Sequence, residues 1–163
     1  MERLLLSLVV VVFFALCVYG MWRGWRRQAR AQSVRFPPFP QVPDDLGEPV
    51  LDAKGLYVAT TTAGHWQERV VTRGVGLRGP AVLRYHDGGI EVDRVGATGF
   101  WIPRESIVDV KTGRGMAGKV MGTESLLVVS WRLGETELDT GFRGDDIGVY
   151  PQWIAQVKGG AQV

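Results

Sequence analysis

The sequence predicts a mainly β domain, a small antiparallel barrel of six or seven strands with a C-terminal amphipathic helix, preceded by one N-terminal transmembrane helix. Three observations predict this fold class. Glycine accounts for 22 of 163 residues, about 13% against a usual value of roughly 7%, which is typical of turn-rich β structure. Short β-forming segments recur at intervals of about ten residues from residue 55 onward. An uninterrupted apolar run lies near the N-terminus.

The charges divide the chain into segments. Residues 1–35 contain six arginines and one glutamate, residues 36–53 contain four acids and no base, and residues 54–163 contain thirteen bases and twelve acids. Because the last segment is nearly neutral, a large electrostatic surface for nucleic acid is not expected. The predicted organisation is a short flank (1–3), a transmembrane helix (4–22), a basic juxtamembrane segment (23–35), a proline-rich acidic spacer (36–53) and a β domain (54–163).

The predicted transmembrane helix contains no ionisable side chain other than Cys17 and Tyr19. Nineteen helical residues rise about 29 Å, close to the ~30 Å hydrocarbon thickness of a bilayer. Tryptophan and arginine alternate where the apolar run ends, as is typical of the headgroup region. We therefore predict these membrane-interface anchors: Trp22, Arg23, Trp25, Arg26, Arg27 and Arg30.

A cleaved signal peptide is the alternative for this segment. The basic cluster follows the apolar run, the run exceeds the roughly 7–15 residues of a signal core, and no small-x-small cleavage site follows, so an uncleaved signal anchor is favoured. The excess of arginine after the run predicts a single-pass plasma-membrane protein with its N-terminus outside and its C-terminal domain in the cytoplasm. A lone cysteine, Cys17, fits a reducing compartment for the domain.

The spacer is rich in proline. Residues 36–49 hold five of the eight prolines, and proline removes amide donors and fixes φ, which predicts an extended chain. At ~3.1 Å per residue such a chain reaches roughly 40 Å. We interpret it as a passive stand-off between membrane and domain. A ligand for SH3-type domains is the less favoured alternative, since P-x-x-P occurs at Pro37 and again at Pro40.

The β domain is predicted element by element. Alternating or β-branched segments predict strands, and the turn from His86 to Gly89 and the Gly134-Glu135 pair predict two hairpins. Ile147, Tyr150, Ile154 and Val157 recur at helical spacing before Gly159-Gly160, which predicts a final helix that begins or kinks near Pro151. This arrangement is the architecture of a pleckstrin-homology-like (PH-like) barrel. The predicted strands are 55–62, 81–85, 90–92, 100–102, 107–111, 126–133 and 136–142, and the helix is 145–157.

A family resemblance rests on three stretches of this domain together with the N-terminal span. They are VKTGRGMAGKV (110–120), LLVVSWRLGETELDTGFR (126–143) and YVATTTAG (57–64). They resemble the small PH-like-domain membrane proteins of high-GC Gram-positive bacteria, over roughly residues 56–157. The resemblance implies the fold and the membrane anchor, and a gene that commonly lies among those of pyrimidine biosynthesis. It implies no catalytic residues.

The segment GRGMAGKV (113–120) satisfies the glycine and lysine spacing of a phosphate loop. Val120 occupies the position where a Ser or Thr would hold Mg²⁺, and a strand rather than a helix is predicted after it, so nucleotide binding is not expected. We favour an inter-strand loop whose bases contact a protein partner or anionic headgroups. The predicted contact residues are Lys111, Arg114 and Lys119.

Other candidate chemistry is weak. Asp139-Thr140-Gly141 spells an aspartic-protease motif, but that chemistry needs two such carboxylates and the chain has one copy, so we expect Asp139 to bind turn amides or an arginine. His65 and His86 are expected to be solvated and form no metal set. Four tryptophans are expected to pack within the barrel and helix: Trp66, Trp101, Trp131 and Trp153.

The predicted function is a membrane-anchored PH-like binding or scaffolding module that is not an enzyme and needs no cofactor or metal. Its expected partners are the membrane, a protein and anionic headgroups, without nucleic acid. An accessory subunit of a transport or envelope complex, using the span as its interface, is the alternative. An enzyme using Asp139 or residues 113–119 is the remote alternative.

Overall fold

The N-terminal third of the chain is dominated by one long helix. The computed structural model describes residues 1–116, 119–120 and 125–159. Helix α1 runs without a break from Glu2 to Arg35, so the apolar run and the basic juxtamembrane segment form a single rod. Its 34 residues extend about 51 Å at 1.5 Å per residue. The apolar part is exposed and, by length and composition, sufficient to cross a bilayer.

The β domain consists of an eight-stranded antiparallel sheet and a small two-stranded ribbon. The sheet has the order β5-β4-β3-β1-β10-β9-β6, with β2 paired to one end of β1, and the ribbon pairs β7 with β8. The strands are β1 (Leu51–Thr62), β2 (His65–Arg69), β3 (Gly79–His86), β4 (Gly89–Arg94), β5 (Phe100–Pro103), β6 (Ile107–Gly113), β7 (Gly115–Met116), β8 (Lys119–Val120), β9 (Leu126–Leu133) and β10 (Thr136–Gly144).

The sheet is wrapped around one hydrophobic core because β1 belongs to both of its halves. Residues 51–57 of β1 pair with β3, and residues 55–62 pair with β10. The strands cross closely at Gly55, where a Cβ would collide with the Arg143 carbonyl oxygen. A register shift beside Val58 then turns the strand. β5 and β6 are the two edges of the curled sheet.

The core confirms the predicted fold class. Side chains from β1, β3, β4, β5, β6, β9 and β10 meet in a single buried cluster that also includes the C-terminal helix. The predicted strands are all present. Two features were not predicted: β2, whose HWQER sequence lacks an apolar alternation, and the β7–β8 ribbon within the glycine-rich segment.

The C-terminal helix α2 (Tyr150–Gly159) closes one end of the barrel. It follows a 3-10 turn, Ile147–Val149, in which the Asp146 side chain accepts a hydrogen bond from the Gly148 amide at 2.8 Å. Pro151 lies in its first turn, where a missing N–H is tolerated. Tyr150, Trp153 and Val157 are buried. Ile147 is exposed, so it does not belong to the buried face that the spacing predicted.

Residues 36–50, termed here the proline segment, close the barrel elsewhere and are not a free stand-off. Phe36 is 2% exposed and belongs to the core cluster. The Phe39 ring packs edge-on against Phe100 at 5.2 Å and against Trp131 at 5.6 Å. The Pro40 carbonyl oxygen accepts a hydrogen bond from the Trp101 amide on the β5 edge at 2.9 Å. The prediction of a passive spacer is therefore wrong. Burial of these aromatic side chains stabilises the packed position of the segment, and the extended backbone that proline favours is compatible with that position.

Candidate functional site

The glycine-rich segment is a β ribbon. Lys111 is exposed on β6, and Arg114 is exposed in the bend that follows it. Gly115 then pairs with Val120, and Met116 pairs with Lys119. The Lys119 side chain lies outside the part of the chain that the structure describes. Residues 111–120, termed here the basic ribbon, thus place Lys111 and Arg114 on one short exposed segment, and their contact with a partner stays a prediction.

One methionine fixes the basic ribbon to the outer face of the sheet. Met116 is 3% exposed and packs in a second, smaller cluster with Val58, Ala59, Leu126 and Val128. A Cβ on Gly141 of β10 would come within 2.5 Å of the Met116 sulfur, so this close approach requires glycine. Gly141 therefore allows the ribbon to pack against β10.

The ribbon geometry does not match a phosphate loop. A phosphate loop connects a strand to the N-terminus of a helix, where successive amides point at the phosphates. Here the segment leaves β6 and pairs with itself as β7 and β8. Among the described residues the segment is an inter-strand element, and the expectation that it binds no nucleotide stays a prediction.

A basic and aromatic groove lies between α1 and the 3-10 turn Thr72–Gly74. It has a volume of about 750 Å³. The Arg26 guanidinium lies over the Trp22 ring at 4.1 Å from its centroid. This juxtamembrane groove is lined by Trp22, Trp25, Arg26, Ala29, Arg30, Ser33 and Thr72.

The groove divides the predicted interface anchors into two sets. Arg26 and Arg30 line it, and together with Trp22 they also border a smaller hollow on the neighbouring face of α1, whereas Arg23 and Arg27 line only that smaller hollow. The repeat from Trp22 to Arg26 to Arg30, four residues apart, places these side chains on one helical face. Sequence reasoning missed this division, although the four-residue spacing was available as a signal.

The end of α1 is tied to the domain in two ways. Arg35 forms an ion pair with Glu68 of β2 at 3.2 Å between Nη1 and Oε1. The next residue, Phe36, enters the core. Ala29 and Ser33 are partly covered where α1 approaches the Thr72–Gly74 turn. The helix therefore enters the domain without an intervening linker.

A chain of hydrogen bonds crosses the domain interior beneath the proline segment. The Trp131 indole N–H donates to Thr140 at 2.9 Å, the Thr140 and Thr60 hydroxyls lie 3.0 Å apart, and the Thr60 and Tyr57 hydroxyls lie 2.8 Å apart. Tyr57 donates to the Val75 carbonyl at 2.7 Å. If each group donates to the next one along the chain from Trp131 to the Val75 carbonyl, all three hydroxyls both donate and accept a hydrogen bond. Burial raises the pKa of Tyr57 to about 12.

Arg94 is a buried arginine that sequence reasoning missed. It is 5% exposed, and its guanidinium lies 4.5 Å from the centroid of the Tyr57 ring. It donates to the carbonyl oxygens of Gly74, Leu77 and Thr98 at 3.1, 2.7 and 3.4 Å. Burial lowers the pKa of Arg94. Ile90, Val92 and Arg94 are alternate residues of β4 and therefore lie on the same face of the strand. This two-residue spacing could have indicated that Arg94 points inward.

His86 is buried, which corrects the prediction of a solvated residue. It is 4% exposed and lies beside Trp101, with ring centroids 6.0 Å apart. Its Nε2 is 3.6 Å from a carboxylate oxygen of Glu91, which also pairs with Arg84 at 3.1 Å. The hydrogen bond to that carboxylate raises the pKa of Arg84. The Trp101 ring packs close to Gly89 and covers the turn from His86 to Gly89 that joins β3 to β4. His65 is exposed, as predicted.

Two further predictions need correction. Asp139 accepts a hydrogen bond from Ser130 of the paired strand β9 at 2.5 Å, in place of a turn amide or an arginine. Trp66 is 43% exposed at the β1–β2 hairpin, whereas the other three domain tryptophans are buried. Within residues 1–116, 119–120 and 125–159, no group of three or more His, Cys, Asp or Glu side chains is placed to hold a metal ion.

Comparisons with known proteins bear on the fold. No curated protein matches the chain. The C-terminal domain of an unknown protein from Leishmania infantum is similar, with 13% identity and a TM-score of 0.42 over 69% of this chain and 82% of that one. A family model described as "Bacterial PH domain-like" matches residues 36–158, beginning at the residue with which the proline segment enters the core. The chain therefore belongs to the bacterial PH domain-like family.

Proposed function

We propose that this protein is a single-span, membrane-anchored PH-like module that binds a protein partner at the cytoplasmic bilayer surface and performs no catalysis. The observation that carries the proposal is the unbroken α1, whose last residue precedes the buried Phe36. PH-like domains are generally non-catalytic binding modules. A domain fixed to an apolar helix presents its surfaces in a constant orientation to the membrane.

The basic ribbon is the proposed partner surface. Lys111 and Arg114 are exposed on a segment that is held in place by the buried Met116. Such an arrangement offers cations on a defined backbone, which suits an acidic protein surface. The edge of β5 is a poorer candidate, because Pro40 already accepts a hydrogen bond from the Trp101 amide there.

The partner surface is tested by charge removal in the full-length chain. Two triple variants are compared. The test variant replaces the ribbon bases: Lys111→Ser, Arg114→Ser and Lys119→Ser. The matched control replaces three exposed bases elsewhere: Lys54→Ser, Arg132→Ser and Arg143→Ser. After purification in mild detergent, we expect the first triple to lose most of the recovered partner and the second to retain it. Equal recovery from both would remove the ribbon from the interface. Recovery of pyrimidine-biosynthesis enzymes would link the protein to the gene neighbourhood that the resemblance implies.

Anchoring and topology are tested separately. After carbonate extraction the full-length chain should remain in the membrane fraction. N-terminal sequencing of that fraction should show that the apolar segment has not been cleaved. A reporter that works only in the cytoplasm should be active when it is fused after Val163. Activity of a periplasmic reporter at that position would overturn the cytoplasmic assignment.

An accessory subunit of a transport or envelope complex is the second candidate, because the apolar face of α1 is open. A Cβ added at Gly20 would meet nothing within 4 Å, so that surface is available to another helix. Photocrosslinkers placed at Gly20 and at Lys111 would separate the two proposals, since a partner of the span reacts with the first and a partner of the domain with the second.

A further inference from the structure

We propose that the juxtamembrane groove binds the phosphate headgroup of an anionic phospholipid from the leaflet next to the domain. This inference rests on the proposed membrane anchoring and adds a defined lipid site to it. The groove lies between α1 and the Thr72–Gly74 turn, so both the membrane helix and the PH-like domain contribute to it.

The position of the groove fits a headgroup. It begins at Trp22, the last residue of the apolar run, and ends near Ser33. Eleven residues of helix separate these positions, a rise of about 16 Å. Indole rings favour the boundary between hydrocarbon and water. The groove therefore opens at the depth where phosphates lie.

The chemistry of the groove fits a phosphate. Arg26 and Arg30 lie one helical turn apart on its wall, and guanidinium groups donate to phosphate oxygens in a bidentate manner. Among the described residues, neither guanidinium has a carboxylate within 4 Å. The Trp22 ring beneath Arg26 at 4.1 Å orients its guanidinium. Ser33 already donates to the Arg30 carbonyl, so the two arginines supply the charged donors of the groove.

The surroundings of the groove favour a lipid over a soluble phosphate. Leu77 is 59% exposed. Arg94 donates to the carbonyls of both Gly74 and Leu77, which holds Leu77 beside the turn that forms the groove wall. An exposed apolar side chain beside that wall suits a bilayer surface, where both acyl chains and phosphates are within reach.

The experiment uses native mass spectrometry of the full-length chain in detergent with equal amounts of phosphatidylglycerol and phosphatidylcholine. Arg26→Gln with Arg30→Gln should lower the ratio of phosphatidylglycerol to phosphatidylcholine adducts by about tenfold or more. The matched control, Arg23→Gln with Arg27→Gln, removes the same charge outside the groove and should change the ratio by less than about twofold. An equal loss in both variants would mean that charge alone attracts the lipid, which overturns the site.

A second arm distinguishes the source of the phosphate. Inorganic phosphate at the same concentration should leave the phosphatidylglycerol adduct in place, and full displacement would overturn a lipid as the occupant. Carbonate extraction of each variant separates this inference from the proposed function. A chain that leaves the membrane contradicts the anchoring, whereas a retained chain with an unchanged adduct ratio contradicts only the groove.

Discussion

The hydrophobic core is covered in two places by segments of opposite character. Helix α2 inserts Tyr150, Trp153 and Val157 from a regular amphipathic face. The proline segment inserts Phe36 and Phe39 from an irregular chain that forms few backbone hydrogen bonds with the sheet. Only the second closure continues into α1. Burial of Phe36 therefore both stabilises the core and determines how the domain is held relative to α1.

The polar interior lies under the proline segment. Tyr57 contacts Phe100 at 6.1 Å between ring centroids, and Phe100 in turn contacts Phe39. Under α2, Tyr85 and Trp153 form an edge-on pair at 6.3 Å. One hydroxyl is buried there: Tyr150 accepts from the Gly144 amide at 2.8 Å and donates to the Ser125 carbonyl at 2.9 Å. The α2 closure thus buries aromatic surface and a single hydroxyl with both partners present, whereas the proline segment covers a longer hydrogen-bonded network that is costly to expose.

Removal of the α2 plug should have the largest effect. Trp153→Ala deletes an indole that is 1% exposed and should lower the unfolding free energy of the domain by about 4–5 kcal/mol. Denaturant titration of the detergent-solubilised full chain, followed by near-UV circular dichroism, measures this loss. Gln152→Ala on the exposed face of α2 is the control and should change stability by less than about 0.5 kcal/mol. A loss below about 2 kcal/mol would show that α2 is not a structural plug.

Removal of the Phe36 plug should cost less stability but free the domain from α1. Phe36→Ala should cost about 3 kcal/mol, the lower end for such a truncation, because an irregular segment can relax into the cavity. In nanodiscs, the distance distribution between spin labels on α1 and on β3 should broaden. Pro38→Ala, which alters an exposed side chain of the same segment, should leave the distribution narrow. Unchanged distributions in both variants would contradict the coupling.

Tyr57→Phe should cost about 1–3 kcal/mol, because the Val75 carbonyl and the Thr60 hydroxyl lose a partner. The pH dependence gives a second signature. Unfolded tyrosine loses its proton near pH 10, whereas Tyr57 keeps it up to about pH 12 when folded. The folded state therefore binds more protons in this window, and stability should fall as pH rises, by up to about 2–3 kcal/mol. Tyr57→Phe should lack this part of the decline in unfolding free energy. If the wild-type chain and the variant lost the same stability between about pH 10 and pH 12, the assignment of the decline to Tyr57 would be contradicted.

The smallest effects are expected at two surface ion pairs, one near each closure. Lys158 and Asp109 lie 2.9 Å apart beside α2, and Arg35 and Glu68 lie 3.2 Å apart at the end of α1. All four side chains are substantially exposed, so Asp109→Asn or Glu68→Gln should cost about 0.2–1 kcal/mol and less at high salt. A larger cost for Glu68→Gln alone would mark that pair as part of the coupling between helix and domain.

The two closures also show how far the sequence predicts the structure. Tyr150, Trp153 and Val157 are predictable because a helix repeats every 3.6 residues and the pattern is local. Phe36 is not, because no period marks a single aromatic residue at the end of a helix, and its burial depends on strands far along the chain. His86 is buried because Trp101 packs over the turn, a contact that local pattern does not contain.

The candidate sites show the same limit. The spacing of Arg26 and Arg30 on one helical face was readable from the sequence, but the Thr72–Gly74 turn that faces them lies some forty residues away. Met116 required Gly141 on a strand more than twenty residues later. Composition and periodicity predict elements, whereas these sites arise from pairs of elements that only the folded chain brings together.

The unbroken α1 sets the azimuth of the domain around the helix axis. Each residue inserted between Arg30 and Arg35 would turn the domain by about 100° and lift it by 1.5 Å. One added residue would thus swing the Thr72–Gly74 turn away from Arg26 and Arg30, whereas seven would return it to within about 20° of its original bearing and raise it by about 10 Å. The junction fixes helical phase and height together, so a rotation of the apolar part of α1 is transmitted to the domain as a rotation of the same size.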